Sequence, residues 1–377
     1  MAIFLAPSGL RALLIDPLWT STTAYPGGNF SAGSCVTYAG HLFCVGGDND
    51  SNVWHAPITP VGVDAWQQTS AYGEGGQNIF LSCAAANGYI YCVGGSNLGG
   101  FSGDVNSDVW YAPISANGIG QWQQTTLYGF PVVAVTGTKA GVPIWSHSCT
   151  INDGYLYCVG GFIRQYQIVA TQNGSVSVPF DNPTARVYSA PIENDGSIGF
   201  WQQTTSYGQT IAGHSCVTND GYIYCVGGTS GNGLSDSDTS AVWYAQFLPN
   251  GGLTQWNQTT GYGGGAVDGL SCTAAEGRIF CTGGNSQQVW SASLSSAGVG
   301  AWTQQTDYPE AIWSPSCVSQ KSEVICVGGG QAAAARASSS RRTRPVSRFR
   351  TRTAATRSMV SGTAPRRPAR CIRSSRR

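Results

Sequence analysis

Charge is scarce in this chain: Asp, Glu, Lys and Arg make up 10% of 377 residues, and there are only two Met and four His. Disorder needs high charge and few aromatics, and long helices need abundant Ala, Leu, Glu and Lys. With 11% aromatic residues and 51 Gly, neither class fits. No run of 18 apolar residues occurs, so no helical membrane span is expected. Acidic residues are missing from 331–377, where 14 Arg give a net +14, while residues 1–330 carry all 19 acids against six basic side chains, net −13. The overall +1 averages two unlike segments.

What the chain has is a repeat. The pattern Ser-Cys, eight residues, Cys recurs six times, at Cys35/Cys44, Cys83/Cys92, Cys149/Cys158, Cys216/Cys225, Cys272/Cys281 and Cys317/Cys326. A Gly-Gly pair follows the second Cys, then an aromatic two residues before Ala (Trp54, Trp110, Tyr188, Trp243, Trp290), then a Trp with Tyr six residues on. Those last pairs are Trp66/Tyr72, Trp122/Tyr128, Trp201/Tyr207, Trp256/Tyr262 and Trp302/Tyr308. A fixed-period repeat organises the whole fold.

Four short β segments fit each unit, rich in Val, Ile, Tyr, Trp and Thr and bounded by Gly, Asn or Asp. In Cys216–Cys225 the dipeptide Asp220-Gly221 suits a two-residue type I′ turn, which pairs Val217 with Tyr224 and Cys216 with Cys225. The cysteines then fall at a non-hydrogen-bonded pair with Cα atoms about 4.5 Å apart, at the short end of disulfide geometry. Ala39-Gly40, Asn87-Gly88, Asp153-Gly154 and Glu276-Gly277 give the same register; Lys321-Ser322 alone lacks the Gly. Six cross-strand disulfides are expected, which implies an oxidising compartment. Zinc is disfavoured, because two Cys per unit cannot complete a four-ligand site.

Gly46-Gly47, Trp54 and Trp66, then Gly94-Gly95, Trp110 and Trp122, continue through five units in an order and spacing that resembles the kelch repeat. The paired cysteines depart from the ordinary kelch pattern. The resemblance implies an all-β fold: a single β-propeller of six four-stranded blades over 17–330, or seven if the C-terminus is mis-framed. Trp19 and Tyr25 have the spacing of a last strand with no unit before them, so the N-terminus is expected to close the ring as the outer strand of the sixth blade. Residues 330–377 offer no matching third strand for that blade; Val346 to Arg350 is the nearest segment and a poor match.

The flanks are unlike the repeats. Residues 1–16 read as a truncated leader or an unconventional export segment, apolar but interrupted by Pro7 and Arg11. Residues 331–377, with an unpaired Cys371, have the composition of an arm for nucleic acid or an anionic surface. The abrupt loss of the repeat in mid-blade favours a departure from the reading frame, so no nucleic-acid partner is assigned. Four sequons (Asn29, Asn49, Asn173, Asn257) are compatible with a secreted glycoprotein.

Loops between strands two and three, and between units, hold all the length variation, so their shared face is the candidate binding face. The longest segments, 129–146 and 161–186, bring together Lys139, Trp145, Arg164, Tyr166 and Asp181. Such a group suits an extracellular glycan or protein, with aromatic faces against sugar C–H surfaces and Arg and Asp on hydroxyls. The Trp and Tyr series and the six Ser before the first Cys (Ser34, Ser82, Ser148, Ser215, Ser271, Ser316) read as structural, one per unit. His147 and His214 stand two before the first Cys, where other units have Gly33, Leu81, Leu270 and Pro315. They could face a central channel, but satisfied structural histidines are the favoured reading. The Asp48/Asp50 and Asp236/Asp238 pairs lack an EF-hand frame for calcium.

The expectation is a secreted, monomeric, non-catalytic binding propeller with no cofactor. Kelch-like propellers include the galactose-oxidase family, and that resemblance would imply copper held by two Tyr and two His, with a thioether-linked Cys. The His at 41, 55, 147 and 214 show no evident converging pair, and the repeat cysteines already have partners. An intracellular kelch scaffold would need reduced thiols and a partner domain.

Overall fold

The computed structural model describes residues 19–28, 30–47, 51–73, 78–97, 104–129, 132–133, 139–171, 174–231, 236–331 and 347–350. The leader segment, most of the Arg-rich tail with Cys371, Asp48 and Asp50, and the sequons at Asn29, Asn49 and Asn173 lie outside them. Asn257 is described and exposed. The chain divides into a unit of residues 16–351 and a second unit made of 1–15 and 352–377.

Among the described residues every regular element is a strand. Each repeat forms an antiparallel four-strand order, such as Ser215–Asn219, Tyr222–Val226, Val242–Gln246 and Asn257–Gln258. The first hairpin has the register expected from its turn, with Cys216 opposite Cys225 and Val217 opposite Tyr224. Asp220 and Gly221 both take positive φ, 46° and 78°, as a type I′ turn requires. In the Gly-less sixth hairpin Lys321 alone takes positive φ, 54°, and the register is kept.

A disulfide joins the two cysteines of each unit: Cys35–Cys44, Cys83–Cys92, Cys149–Cys158, Cys216–Cys225, Cys272–Cys281 and Cys317–Cys326. The pairing is the expected one, but the spacing is corrected. The Cα atoms lie 4.0–4.1 Å apart, closer than the distance taken from an unbridged strand pair, because the short covalent link draws the two strands together. The two members of a bridge also differ in surroundings. Cys44, Cys92, Cys158, Cys225 and Cys326 are fully buried and Cys281 is 1% exposed, since each lies on a strand flanked on both sides. Bridges in every unit suit an oxidising environment. No described helix is long and apolar enough to cross a membrane.

The sixth sheet corrects another expectation. Its third place is taken by Ser347–Arg350, which pairs with Glu323–Val327 on one side and Thr20–Ser21 on the other. This is the segment whose sequence matched poorly. Backbone pairing needs only extended residues with free N–H and C=O groups, so a strand slot can be filled without the Val-Trp-x-Ala signature. The N-terminal Thr20–Ser21 is the outer strand, as Trp19 and Tyr25 implied.

Three series of contacts join the units in order, and each returns to its start. Each Ser Oγ accepts from the backbone N–H of the next unit's first Cys: Ser34 to Cys83, Ser82 to Cys149, Ser148 to Cys216, Ser215 to Cys272, Ser271 to Cys317, and Ser316 back to Cys35 at 2.8 Å. Each Trp indole donates to a carbonyl of the preceding unit's Thr/Ser stretch, and Trp19 donates to Thr306 at 3.0 Å. Edge-on Trp–Tyr pairs accompany these bonds, from Tyr72–Trp122 at 5.0 Å to Trp19–Tyr308 at 4.9 Å. Such aromatic pairs contribute about 0.5–1.5 kcal/mol each beyond the area they bury.

The Gly-Gly pair has a matching reason. A Cβ on Gly160 would lie 2.5 Å from the carbonyl oxygen of Ile211, which belongs to the segment entering the next unit. That same carbonyl accepts from Gly161 N–H at 2.7 Å. Only a residue without Cβ lets the two backbones meet this closely.

Candidate functional site

The chain enters each first strand through a residue with left-handed φ: Ala32 (56°), Phe80 (58°), Ser146 (54°), Gly213 (65°), Gly269 (62°) and Ser314 (52°). Four of the six are not Gly, an uncommon conformation that must be held by its surroundings. The hold is a circuit of backbone hydrogen bonds: Phe80 N–H to Ala32 O, Ser146 to Phe80, Gly213 to Ser146, Gly269 to Gly213, Ser314 to Gly269, and Ala32 to Ser314, all between 2.7 and 3.1 Å. No single unit can form this circuit, and no local motif announces it.

All six residues line one cavity of about 460 Å³, within the usual range of roughly 300–1,000 Å³ for small-molecule sites. One wall is a continuous run of rings. Trp313 meets Phe80 at 5.9 Å, Phe80 meets Trp145 at 5.2 Å, and Trp145 stacks on Phe162 at 4.6 Å. The remaining lining includes His147, His214, Thr229, Asp236 and Asp268. Phe162, Thr229 and Asp236 come from segments after second strands, so the cavity opens on the face of the length-variable loops.

His147 and His214 are each 5% exposed, and none of their four ring nitrogens has a protein hydrogen-bond partner. Burial pushes both imidazoles down to about 3, helped for His147 by nearby His214. They are therefore neutral near pH 7, each able to give one hydrogen bond and take one. Each lies over a buried tyrosine ring, Tyr128 at 5.8 Å and Tyr207 at 5.9 Å. The other units carry Gly33, Leu81, Leu270 and Pro315 at this position, so the repeat does not require His there. Asp268 is half-buried, and its carboxyl is raised by burial and then by Asp238, against a hydrogen bond with the Trp313 side chain.

Both cavity histidines also sit within 4.8 Å of a cysteine pair, Cys149/Cys158 and Cys216/Cys225. Those sulfurs are joined to one another, so neither group offers a thiolate to a metal. A second hollow, about 310 Å³, is lined by the first Cys of each unit and the two residues that follow.

Of the expected site residues, Trp145 lines the cavity. Arg164 and Asp181 are brought together, but on each other: Nε–Oδ1 and Nη2–Oδ2 are both 2.7 Å, with side chains only 6% and 2% exposed. They clamp the base of a long hairpin, Phe162–Thr171 with Gly174–Pro183, on which Tyr166 is 67% exposed. Lys139 lies in a separate short strand opposite Val133. Removing one member of a buried ion pair strands the other charge, at a cost of about 3–5 kcal/mol. Arg164→Ala is expected to raise hydrogen exchange across 162–183 and to lower the melting temperature; unchanged exchange there would contradict the clamp.

Reading the residues alone also missed a histidine pair. His41 Nδ1 and His55 Nδ1 lie 3.4 Å apart, because adjacent strands place them diagonally across one sheet face beside Phe43. Burial holds both below the usual imidazole value, with His41 adding to the effect on His55.

No family model and no curated protein matches this chain. Among solved structures it is similar to YjhT, a kelch-type β-propeller, at 14% identity and a TM-score of 0.62, covering 86% of this chain and 94% of that one. At this identity the likeness concerns the fold alone: the architecture is that of a β-propeller.

Proposed function

We propose that the chain is a secreted, non-catalytic binding propeller of six blades, closed by its N-terminal strand, that recognises an extracellular carbohydrate or protein. Closure is supported by the Ser–Cys, Trp–Thr and Trp–Tyr series that return to their first member. Export is supported by a disulfide in every repeat. The single observation that carries binding is the 460 Å³ cavity, with its run of aromatic rings facing neutral histidines whose nitrogens have no partner in the protein. Apolar walls with a few polar anchors are the usual form of a small-molecule site. Trp145 is the anchor in this reading, while the Arg164–Asp181 pair supports the neighbouring hairpin and Tyr166 is its outer contact.

The copper-oxidase reading gains little. His41 and His55 do converge, but every described cysteine is in a disulfide, which leaves none of them for a thioether cross-link.

A glycan-array and cell-surface screen with the oxidised full chain tests the proposal, with Trp145→Ala and the less buried Trp313→Ala as controls. Binding weakened at least tenfold by both substitutions is expected. Binding untouched by either, or no binding at all, would defeat it.

A further inference from the structure

The two sides of the central cavity differ in chemistry. Trp313, Phe80, Trp145 and Phe162 present π faces and edges along one side. Aromatic faces carry negative quadrupole density and attract organic cations. The rest of the lining brings two carboxylates, Asp236 and Asp268, and Asp238 lies close enough to Asp268 to affect its charge. Among the described residues, no Lys or Arg lines the cavity. The nearest candidate for a counter-charge in the hairpin, Arg164, is spent on Asp181.

The histidines do not restore the balance, since burial keeps both neutral at physiological pH. The two lining carboxylates, with no Lys or Arg beside them in the lining, make the local potential of a concave, low-dielectric site negative. Burial first and Asp238 second raise the Asp268 carboxyl, and a cation paired with it would favour its charged form. An anionic ligand would meet carboxylates and no lining cation. A neutral sugar could stack on the rings but would gain nothing from the negative field.

We propose that this cavity selects a ligand carrying a protonated amine on a compact body, in carbohydrate form an amino sugar whose ring packs against the aromatic wall at its more exposed Trp313 end, which Trp145 backs, while its ammonium faces Asp268 and Asp236. The proposal rests on the cavity being the ligand site. His147 and His214 then supply hydrogen bonds to hydroxyls, each as one donor and one acceptor.

Titration calorimetry on the oxidised full chain tests it with four probes: glucosamine, N-acetylglucosamine, glucose and choline. Glucosamine is expected to bind at least tenfold more tightly than glucose and N-acetylglucosamine. Asp268→Asn, which keeps an oxygen for the Trp313 indole, is expected to abolish that preference while the circular-dichroism spectrum stays unchanged. Choline competing with glucosamine would mark the ammonium as the recognised group; glucosamine bound without competition by choline would mark the amino sugar as a whole. Equal affinity for glucose and glucosamine, a preference that survives Asp268→Asn, or no binding of any of the four would overturn the proposal. Sugar binding insensitive to Trp145→Ala is a different failure, since it would remove the cavity itself as the site.

Discussion

Complete reduction of the six bridges is expected to unfold the protein at room temperature. Each bridge spans nine residues in sequence. Closing a loop of that size removes unfolded-state entropy equivalent to about 2–3 kcal/mol. Six of them, even without full additivity, exceed roughly 10 kcal/mol, while whole domains are stable by only about 5–15 kcal/mol. The second Cys of each pair, Cys92 and Cys281 among them, is almost fully buried, so the two thiols would also remain confined in a core built for a covalent bond. Guanidinium unfolding followed by Trp fluorescence, on oxidised and on reduced and alkylated protein, measures the difference. A reduced chain with an unchanged midpoint would mean that the hairpins and inter-unit contacts suffice alone.

Acid is expected to be the second strong destabiliser. His147 and His214 have native values near 3 against about 6.5 in the unfolded chain. Between those values the unfolded state binds more protons than the native one, so stability is full above about pH 6.5 and falls as the pH drops towards 3. One pKa unit corresponds to about 1.4 kcal/mol, which makes the loss several kcal/mol for each histidine. The double substitution His147→Leu/His214→Leu copies the residues that two other units use, Leu81 and Leu270. It should flatten the pH dependence of thermal unfolding between about pH 6.5 and 4. A slope unchanged in the double variant would place the acid sensitivity outside these two histidines.

What was legible in the sequence was local or repeated. A two-residue turn fixes hairpin register within ten residues, so the partners of Cys216 and Val217 follow from Asp220-Gly221 alone. The same logic places Cys83 opposite Cys92 and Cys272 opposite Cys281. Repetition made the Ser and Trp positions readable as structure, because a group present in every unit serves the packing of every unit. The cavity was not legible in this way. Its floor is a backbone circuit across six units, and backbone bonds leave no side-chain signature. His147 and His214 are exceptions to the repeat against Gly33, Leu81, Leu270 and Pro315, an irregularity that pointed to a central channel but was outweighed by the reading of satisfied structural histidines. Their ring nitrogens in fact have no partner in the protein. Arg164 and Asp181 were found as a group but not as a pair. A turn centred on the dipeptide Asn173-Gly174 would set Arg164 opposite Pro183, whereas the observed register pairs Thr171 with Gly174 and Arg164 with Asp181. Ser347–Arg350 was discounted for lacking the repeat's signature, although its slot in the sheet is satisfied by backbone bonds.

Peptide mapping under non-reducing conditions tests the architecture most directly. Six internally bridged hairpins require six cross-linked peptides, each joining the two cysteines of one unit, such as Cys35 with Cys44, Cys83 with Cys92 and Cys272 with Cys281. Bridges running between units, or free thiols at most of the paired positions, would contradict it.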